Sequence, residues 1–136
     1  SHPSLRVMIA HLGIPPAVNA APTLEDAQSA LAPVLALAEF PGPVVKFSGF
    51  YALATPGHAY PHTAAWPYAE AITAAYSAAR IVWASDFSPA LEVVSFPQTI
   101  DVINAMPWLT ESDRAAIFHD NLARLLAAVD ERNSTT

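Results

Sequence analysis

Three short, mainly apolar segments recur along the chain, at residues 5–10, 44–49 and 80–85. Their apolar positions are continuous, with no alternation of apolar and polar residues. This pattern is typical of β-strands that are covered on both faces. We therefore predict three buried strands, separated by 30 residues or more that carry helical spacing and turn residues.

The segments between these strands predict helices. Thr23 and Asp26 have the spacing of a capping box, and Pro67 suits the first turn of a helix. Pro33 would break a helix interior, so we expect a short turn before it and a helix after it. The predicted helices cover residues 32–40, the stretch after Pro67, 96–106 behind a Ser95 cap, and 111–132 with an interruption near 120–121.

The resulting order, β-α-β-α-β-α-α, predicts an α/β fold with parallel strands joined by right-handed crossovers. Three parallel strands leave two apolar edges open, and a complete eight-unit barrel needs about 250 residues. The chain is then either a small open sheet or a piece of a larger barrel. Because it begins inside a strand, a piece is favoured. We predict a single partial domain over residues 1–136, with a frayed polar tail at 133–136.

The composition of the chain excludes several classes of function. Of the 136 residues, 53% are hydrophobic and 13% charged, which indicates a folded chain, and no apolar run reaches the length of a membrane span. The net charge of −6 argues against a nucleic-acid partner. The absence of cysteine excludes thiolate catalysis and Cys-bound zinc. Phosphate-loop, dinucleotide, serine-hydrolase elbow and HExxH motifs are also absent from the sequence.

Polar residues follow each predicted strand, where ligands gather in parallel α/β folds. His11 ends the first strand, Ser48 and Gly49 the second, and Asp86 follows the third. An imidazole and a carboxylate at one edge suit metal ligation or proton transfer. The alternatives are a structural histidine at 11 and, at 86, either a helix N-cap or a carboxylate that fixes a loop.

For the other polar residues, a structural role or a surface position is the simplest interpretation. Lys46 either reaches the edge of the sheet or pairs with an acid inside it. The loop after the second strand carries Tyr51, His58, Tyr60 and His62, and a solvated loop is the simplest interpretation of each. Asn121 is expected to cap the last helical segment, and His119 to lie on the surface.

Four segments together resemble the amidohydrolase-2 family of TIM-barrel hydrolases. Residues 8–15 (MIAHLGIP) resemble its DHxGxP strand end, and residues 45–49 (VKFSG) its vKlSG strand. Residues 80–87 (RIVWASDF) resemble its RilwGSDwP strand, and residues 113–126 its terminal helix pattern. Ala10, Ala84 and Ser88 depart from these motifs, but none of the departures removes a reacting group.

The resemblance implies that the strands are the sixth, seventh and eighth of a TIM barrel, and that the first-strand HxH pair lies outside this sequence. Asp86 would then be the base, a metal ligand, or both. His11 would polarise the substrate and could join Asp86 as a ligand of a divalent metal, most simply zinc, although a metal-independent mechanism is also compatible. Tyr51 and Lys46 would contact substrate.

By resemblance, the expected activity is that of a lactonase-like hydrolase, in which water attacks a lactone or related carbonyl of a small organic acid. Decarboxylation stays open. The alternative is a non-catalytic half-barrel that self-associates or complements an N-terminal half. We expect a small carboxylate or lactone substrate, the missing half-barrel or another copy as partner, no nucleic acid or membrane partner, and a cytoplasmic location.

Overall fold

A three-stranded parallel sheet forms the centre of the computed structural model, which describes residues 6–133 and the side chains of residues 6–130. The strands β1 (Met8–Ile9), β2 (Val44–Phe47) and β3 (Ile81–Trp83) lie in the order β1-β2-β3. Met8 pairs with Val44, and Val45 pairs with Ile81. The parallel α/β prediction is confirmed. The strands end earlier than predicted because the chain turns into left-handed conformations just beyond them. The first and third strands also start later than predicted, at Met8 and Ile81; residue 5 of the first predicted strand lies outside the described residues.

The first crossover consists of two consecutive helices, α1 (Leu24–Ala30) and α2 (Ala32–Ala36), and a 3₁₀ turn at Leu37–Glu39. The Thr23 hydroxyl accepts a hydrogen bond from the Asp26 amide at 3.1 Å, as the capping pattern predicts. The prediction of only a short turn before Pro33 was wrong. A full helix fits there because Pro33 falls in the first turn of α2, where a missing amide proton costs nothing.

The second crossover contains α3 (Phe50–Leu53), a 3₁₀ turn (Thr63–Ala65) and α4 (Trp66–Tyr76). Pro67 lies in the first turn of α4, as predicted. The sequence indicated a plain loop where α3 forms. Phe50 and Leu53 are both buried, so the one-turn helix is anchored by its apolar side chains.

The C-terminal part begins with a 3₁₀ turn (Ala78–Arg80) before β3. It continues through α5 (Phe87–Ala90), α6 (Phe96–Asn104), α7 (Glu111–Ala115), a π-helical turn (Ala116–Asp120) and α8 (Asn121–Asn133). Ser95 and Gln98 form a capping box at α6. The π turn is the interruption predicted near residue 120. Residues 134–136 of the predicted tail lie outside the described residues.

One face of the sheet packs into the hydrophobic core. Val45, Phe47 and Ile81 are fully buried there, in one cluster with Ile72 and Tyr76 of α4. Burying each such side chain contributes roughly 1.5–3 kcal/mol. The opposite face carries Met8, which is 43% exposed.

Asn121 corrects one prediction. It begins α8 but does not act as a helix cap. Its buried amide donates hydrogen bonds to the carbonyls of Ala78 and Ile81, both at 2.7 Å. The side chain thereby joins α8 to the start of β3.

The edges of the sheet are open. Within residues 6–133, β1 and β3 each pair with β2 alone. In the same range, the helices are all too short or too polar to cross a membrane. A cytoplasmic location stays a prediction.

Candidate active site

Each strand leads into a left-handed residue at its carboxyl end. These residues are His11 (φ 51°) after β1, Gly49 (φ 72°) after β2 and Asp86 (φ 51°) after β3. Glycine adopts this conformation freely, whereas other residues there store about 1–3 kcal/mol of strain, which packing elsewhere must offset. The three turns direct the polar residues towards one end of the sheet, where the carboxyl ends of the strands lie.

His11 and Asp86 meet at this carboxyl-terminal end of the sheet. His11 Nδ1 lies 3.8 Å from Asp86 Oδ2, and the two side chains are 34% and 21% exposed. Both line a cavity of about 600 Å³, which also borders Gly49 and apolar residues of the segment after β1 and of α3. The structure therefore brings the imidazole and the carboxylate predicted from the sequence to one solvent-accessible cavity.

Ser48 fixes the histidine ring. Its buried hydroxyl lies 2.9 Å from His11 Nδ1, a hydrogen bond whose direction depends on the imidazole tautomer. A Cβ placed on Gly49 would lie 2.9 Å from the same nitrogen, so the ring packs directly against the glycine. Since Nδ1 is engaged, Nε2 is the ring nitrogen that is available to a substrate.

Tyr51 holds the carboxylate. Its hydroxyl donates a hydrogen bond to Asp86 Oδ2 at 2.6 Å. Burial raises the pKa of Tyr51, and the hydrogen bond to Asp86 and the negative charges of Asp86 and Glu92 raise it further. Tyr51 therefore stays a hydrogen-bond donor at neutral pH. Asp86 precedes α5 but makes no capping bond with its side chain, so the N-cap alternative does not describe its contact.

The other predicted site residue, Lys46, lies elsewhere. It is half-buried in the middle of β2 and is not among the residues that line the cavity. Among residues 6–130 its ammonium group has no hydrogen-bond or ion-pair partner. Of the loop residues, His58 and Tyr60 are exposed, and His119 is exposed as expected.

His62 is the residue that the sequence analysis missed. It is only 3% exposed, although a solvated loop was expected. Its Nδ1 has no hydrogen-bond partner among the described residues, and its ring lines a small cavity of about 20 Å³ beside Ser48 and Tyr51. Burial lowers the pKa of His62. The one sequence signal was the apolar stretch Ala64-Ala65-Trp66 after it, which leads into the core.

The donor set bears on metal binding. Among the described residues, no three His, Asp or Glu side chains cluster closely enough to hold a metal ion. His11 and Asp86 offer two donors, while catalytic zinc sites use three protein ligands and an open position. The described part of the chain therefore does not form a complete metal site by itself.

Solved structures share this fold. An amidohydrolase from Burkholderia multivorans with bound HEPES has a TM-score of 0.73 at 21% identity, and alignment covers 93% of this chain and 46% of the other. A second crystal form of that amidohydrolase, with bound zinc, gives a TM-score of 0.70 at 23% identity and covers 93% and 45%.

A Pseudomonas putida protein assigned as a 2-pyrone-4,6-dicarboxylic acid hydrolase gives a TM-score of 0.69 at 26% identity, over 91% of this chain and 44% of that one. The chain thus spans less than half the length of these similar structures. No protein of curated function is detectably similar in sequence.

The sequence itself supplies the remaining comparison. The model of the amidohydrolase family matches residues 1–127, which is nearly the whole sequence and includes both strand ends that carry His11 and Asp86. This chain belongs to the amidohydrolase family.

Proposed function

We propose that this chain supplies His11 and Asp86 to the active site of a hydrolase that opens a lactone or a related carbonyl compound. The observation that carries the proposal is their separation of 3.8 Å at the edge of a shared cavity. Family membership supports a hydrolase of this superfamily, and the similar structure assigned as a pyrone dicarboxylate hydrolase favours a lactone.

In this mechanism Asp86 accepts a proton from a water molecule, and the resulting hydroxide attacks the carbonyl carbon. His11 donates a hydrogen bond through Nε2 to the carbonyl oxygen, where negative charge develops. The ring C–O bond then breaks, and the proton held by Asp86 passes to the leaving oxygen. Tyr51 and Ser48 hold the two reacting groups in register. Contacts of Lys46 and Tyr51 with substrate stay predictions. The Tyr51 hydroxyl bonds Asp86, and Lys46 does not line the cavity.

We propose that the strands are the sixth, seventh and eighth of a TIM barrel, and that the other five come from sequence not present here. The similar structures extend well beyond this chain, which agrees with such a missing half. Amidohydrolases are generally metal-dependent, and one similar structure contains zinc. A metal would need ligands beyond His11 and Asp86, so we route no step through it.

A substitution of Asp86 tests the proposal. In the completed barrel, Asp86→Asn removes the base and should lower kcat for lactone hydrolysis by about 100- to 10,000-fold. Asp101→Asn, an exposed position on α6, is the matched control and should leave kcat unchanged. Circular dichroism establishes that both variants fold. Turnover of Asp86→Asn close to that of the parent would remove Asp86 from the mechanism.

A second candidate, a non-catalytic half-barrel, is favoured by a different observation. An apolar groove of about 260 Å³ lies between β1 and α8, and Met8, Leu122 and Leu126 in its lining are all at least 40% exposed. Such a surface suits association with a second polypeptide.

A further inference from the structure

The cavity that holds His11 and Asp86 has an apolar wall. Apart from these two residues and Gly49, the described lining consists of Ile14, Pro15, Pro16, Ala17, Ala52 and Leu53. None of these six side chains can donate a hydrogen bond or carry a charge. A ligand in this cavity would therefore meet polar groups at the strand ends and hydrocarbon along the wall.

Lys46 and the arginines with described side chains lie away from this wall. Arg80 donates hydrogen bonds to the carbonyls of Phe40 and Ala38, at 2.7 and 2.9 Å, just before β3 begins. The remaining arginines with described side chains also bond backbone carbonyls: Arg6 to Leu125, Arg114 to Met106 and Arg124 to Ala79. With Lys46 in the middle of β2, no lysine or arginine side chain among residues 6–130 lines the cavity.

A carboxylate-bearing ligand would be poorly accommodated against such a wall. An anion loses its hydration on entering an apolar site, and pairing with a cation is what usually compensates that loss. The Asp86 carboxylate at the end of the wall would repel a second carboxylate. One structurally similar protein is assigned as a hydrolase of a dicarboxylic acid, and this wall lacks the groups that such a substrate requires.

We propose that the substrate presents an uncharged, apolar face to this wall, so that the preferred class is a neutral lactone with a hydrocarbon or ester substituent. This inference rests on the proposed lactone hydrolysis for the identity of the reacting group. The wall itself sets only which substituents are accepted. Ring carbonyl and water lie at His11 and Asp86, and the apolar part of the substrate lies against Ile14, Ala52 and Leu53.

Two probes that share the lactone ring and differ in the charge of its substituents test this preference. They are 2-pyrone-4,6-dicarboxylate and its uncharged dimethyl ester, and their affinities are measured by isothermal titration calorimetry of the protein. We expect the diester to bind at least about 10-fold more tightly. The carboxylates of the dicarboxylate would lose hydrogen bonds from water on binding, and the apolar wall would not replace them. Equal or tighter binding of the dicarboxylate, or no binding of the diester, overturns the inference.

Charge variants make the test specific to the wall. Ile14 is 71% exposed, so Ile14→Arg places a guanidinium in the cavity without disturbing the core, and Ala52→Arg is a second variant at an exposed position of α3. Either should shift the preference towards the dicarboxylate by about 10-fold or more. Ala105→Arg, exposed at the end of α6 and outside the lining, adds the same charge and should leave the preference unchanged. A shift of the same size in Ala105→Arg would overturn the assignment to the wall.

Binding is measured without turnover, so the two proposals fail separately. If the diester binds preferentially but its ring is never opened, lactone hydrolysis is wrong and the apolar character of the site stands. If rings are opened but the dicarboxylate is preferred, hydrolysis stands and the substrate class is wrong.

Discussion

Gly49 decides whether the His11 ring can occupy its place. Its φ of 72° suits glycine, and an added Cβ would lie 2.9 Å from His11 Nδ1. Gly49→Ala therefore combines backbone strain with a displaced imidazole. We expect the free energy of unfolding to fall by roughly 1–3 kcal/mol, measured by urea denaturation.

The same variant should alter the contact between Ser48 and His11. The NMR signal of the His11 ring proton should move, whereas that of exposed His119 should not. A Gly49→Ala protein with unchanged stability and an unchanged His11 signal would show that the ring does not depend on the glycine.

His62 makes stability depend on pH. Burial lowers its pKa from the ordinary value of 6.5, so the unfolded chain binds a proton at His62 in a pH range where the folded chain does not. Stability then rises with pH in that range. The contribution is complete above pH 6.5 and is lost as pH falls from 6.5 through the lowered pKa.

His62→Phe removes this titration and keeps a ring in the buried position. The difference in unfolding free energy between parent and variant should change between pH 7 and acidic pH, with the parent losing stability relative to the variant on acidification. His58→Phe, at an exposed position of the same loop, is the control and should show no such change. Parallel pH profiles for parent and His62→Phe would contradict a buried neutral imidazole.

At the scale of elements, local rules predicted the helix starts well. The caps at Thr23 and Ser95 depend on hydrogen bonds within one turn, and Pro67 depends only on its fixed φ and missing amide proton. The structure places each at a helix start. The bounds of the strands and the existence of α3 were harder to predict from the sequence. They depend on left-handed turns and on burial of Phe50 and Leu53, which arise from tertiary packing.

The contacts of the site show the same division. His11 and Asp86 both follow the carboxyl ends of parallel strands, so the sequence was enough to predict that they lie close together. The partners Ser48 and Tyr51 come from a neighbouring strand and the helix after it, and their hydroxyl directions are set by side-chain packing. The burial of His62 also depends on how residues 51–66 fold back, which local pattern does not encode.

Asn121 joins two elements, and its loss should be costly. Its amide donates to the Ala78 and Ile81 carbonyls and its oxygen accepts from Arg124 at 3.0 Å. Asn121→Ala leaves buried carbonyls without this donor and should lower the free energy of unfolding by roughly 2–4 kcal/mol in chemical denaturation. Asn104→Ala, exposed at the end of α6, should change it by less than about 0.5 kcal/mol. Equal effects of the two variants would mean that α8 is not held to β3 by this amide.

For the whole molecule, the open sheet predicts self-association. Strands with unpaired edges tend to pair with other chains, and β1 pairs on one side only within the described residues. Val7 and Met8, 37% and 43% exposed, lie beside this edge and line the apolar groove with α8. The isolated chain should therefore form dimers or larger species, with an average mass in light scattering that rises with concentration.

A charge at the edge separates this mechanism from general stickiness. Met8→Lys places an ammonium group on β1, where lysine disfavours edge pairing, and should shift the chain towards monomer. Phe40→Lys, at a 58% exposed position outside the groove lining, removes an apolar surface group of similar exposure. If Phe40→Lys dissociates the chain as well as Met8→Lys does, association is not through the β1 edge. If the parent chain is monomeric at every concentration, the free edge is already protected, and a missing half-barrel is not needed to cover it.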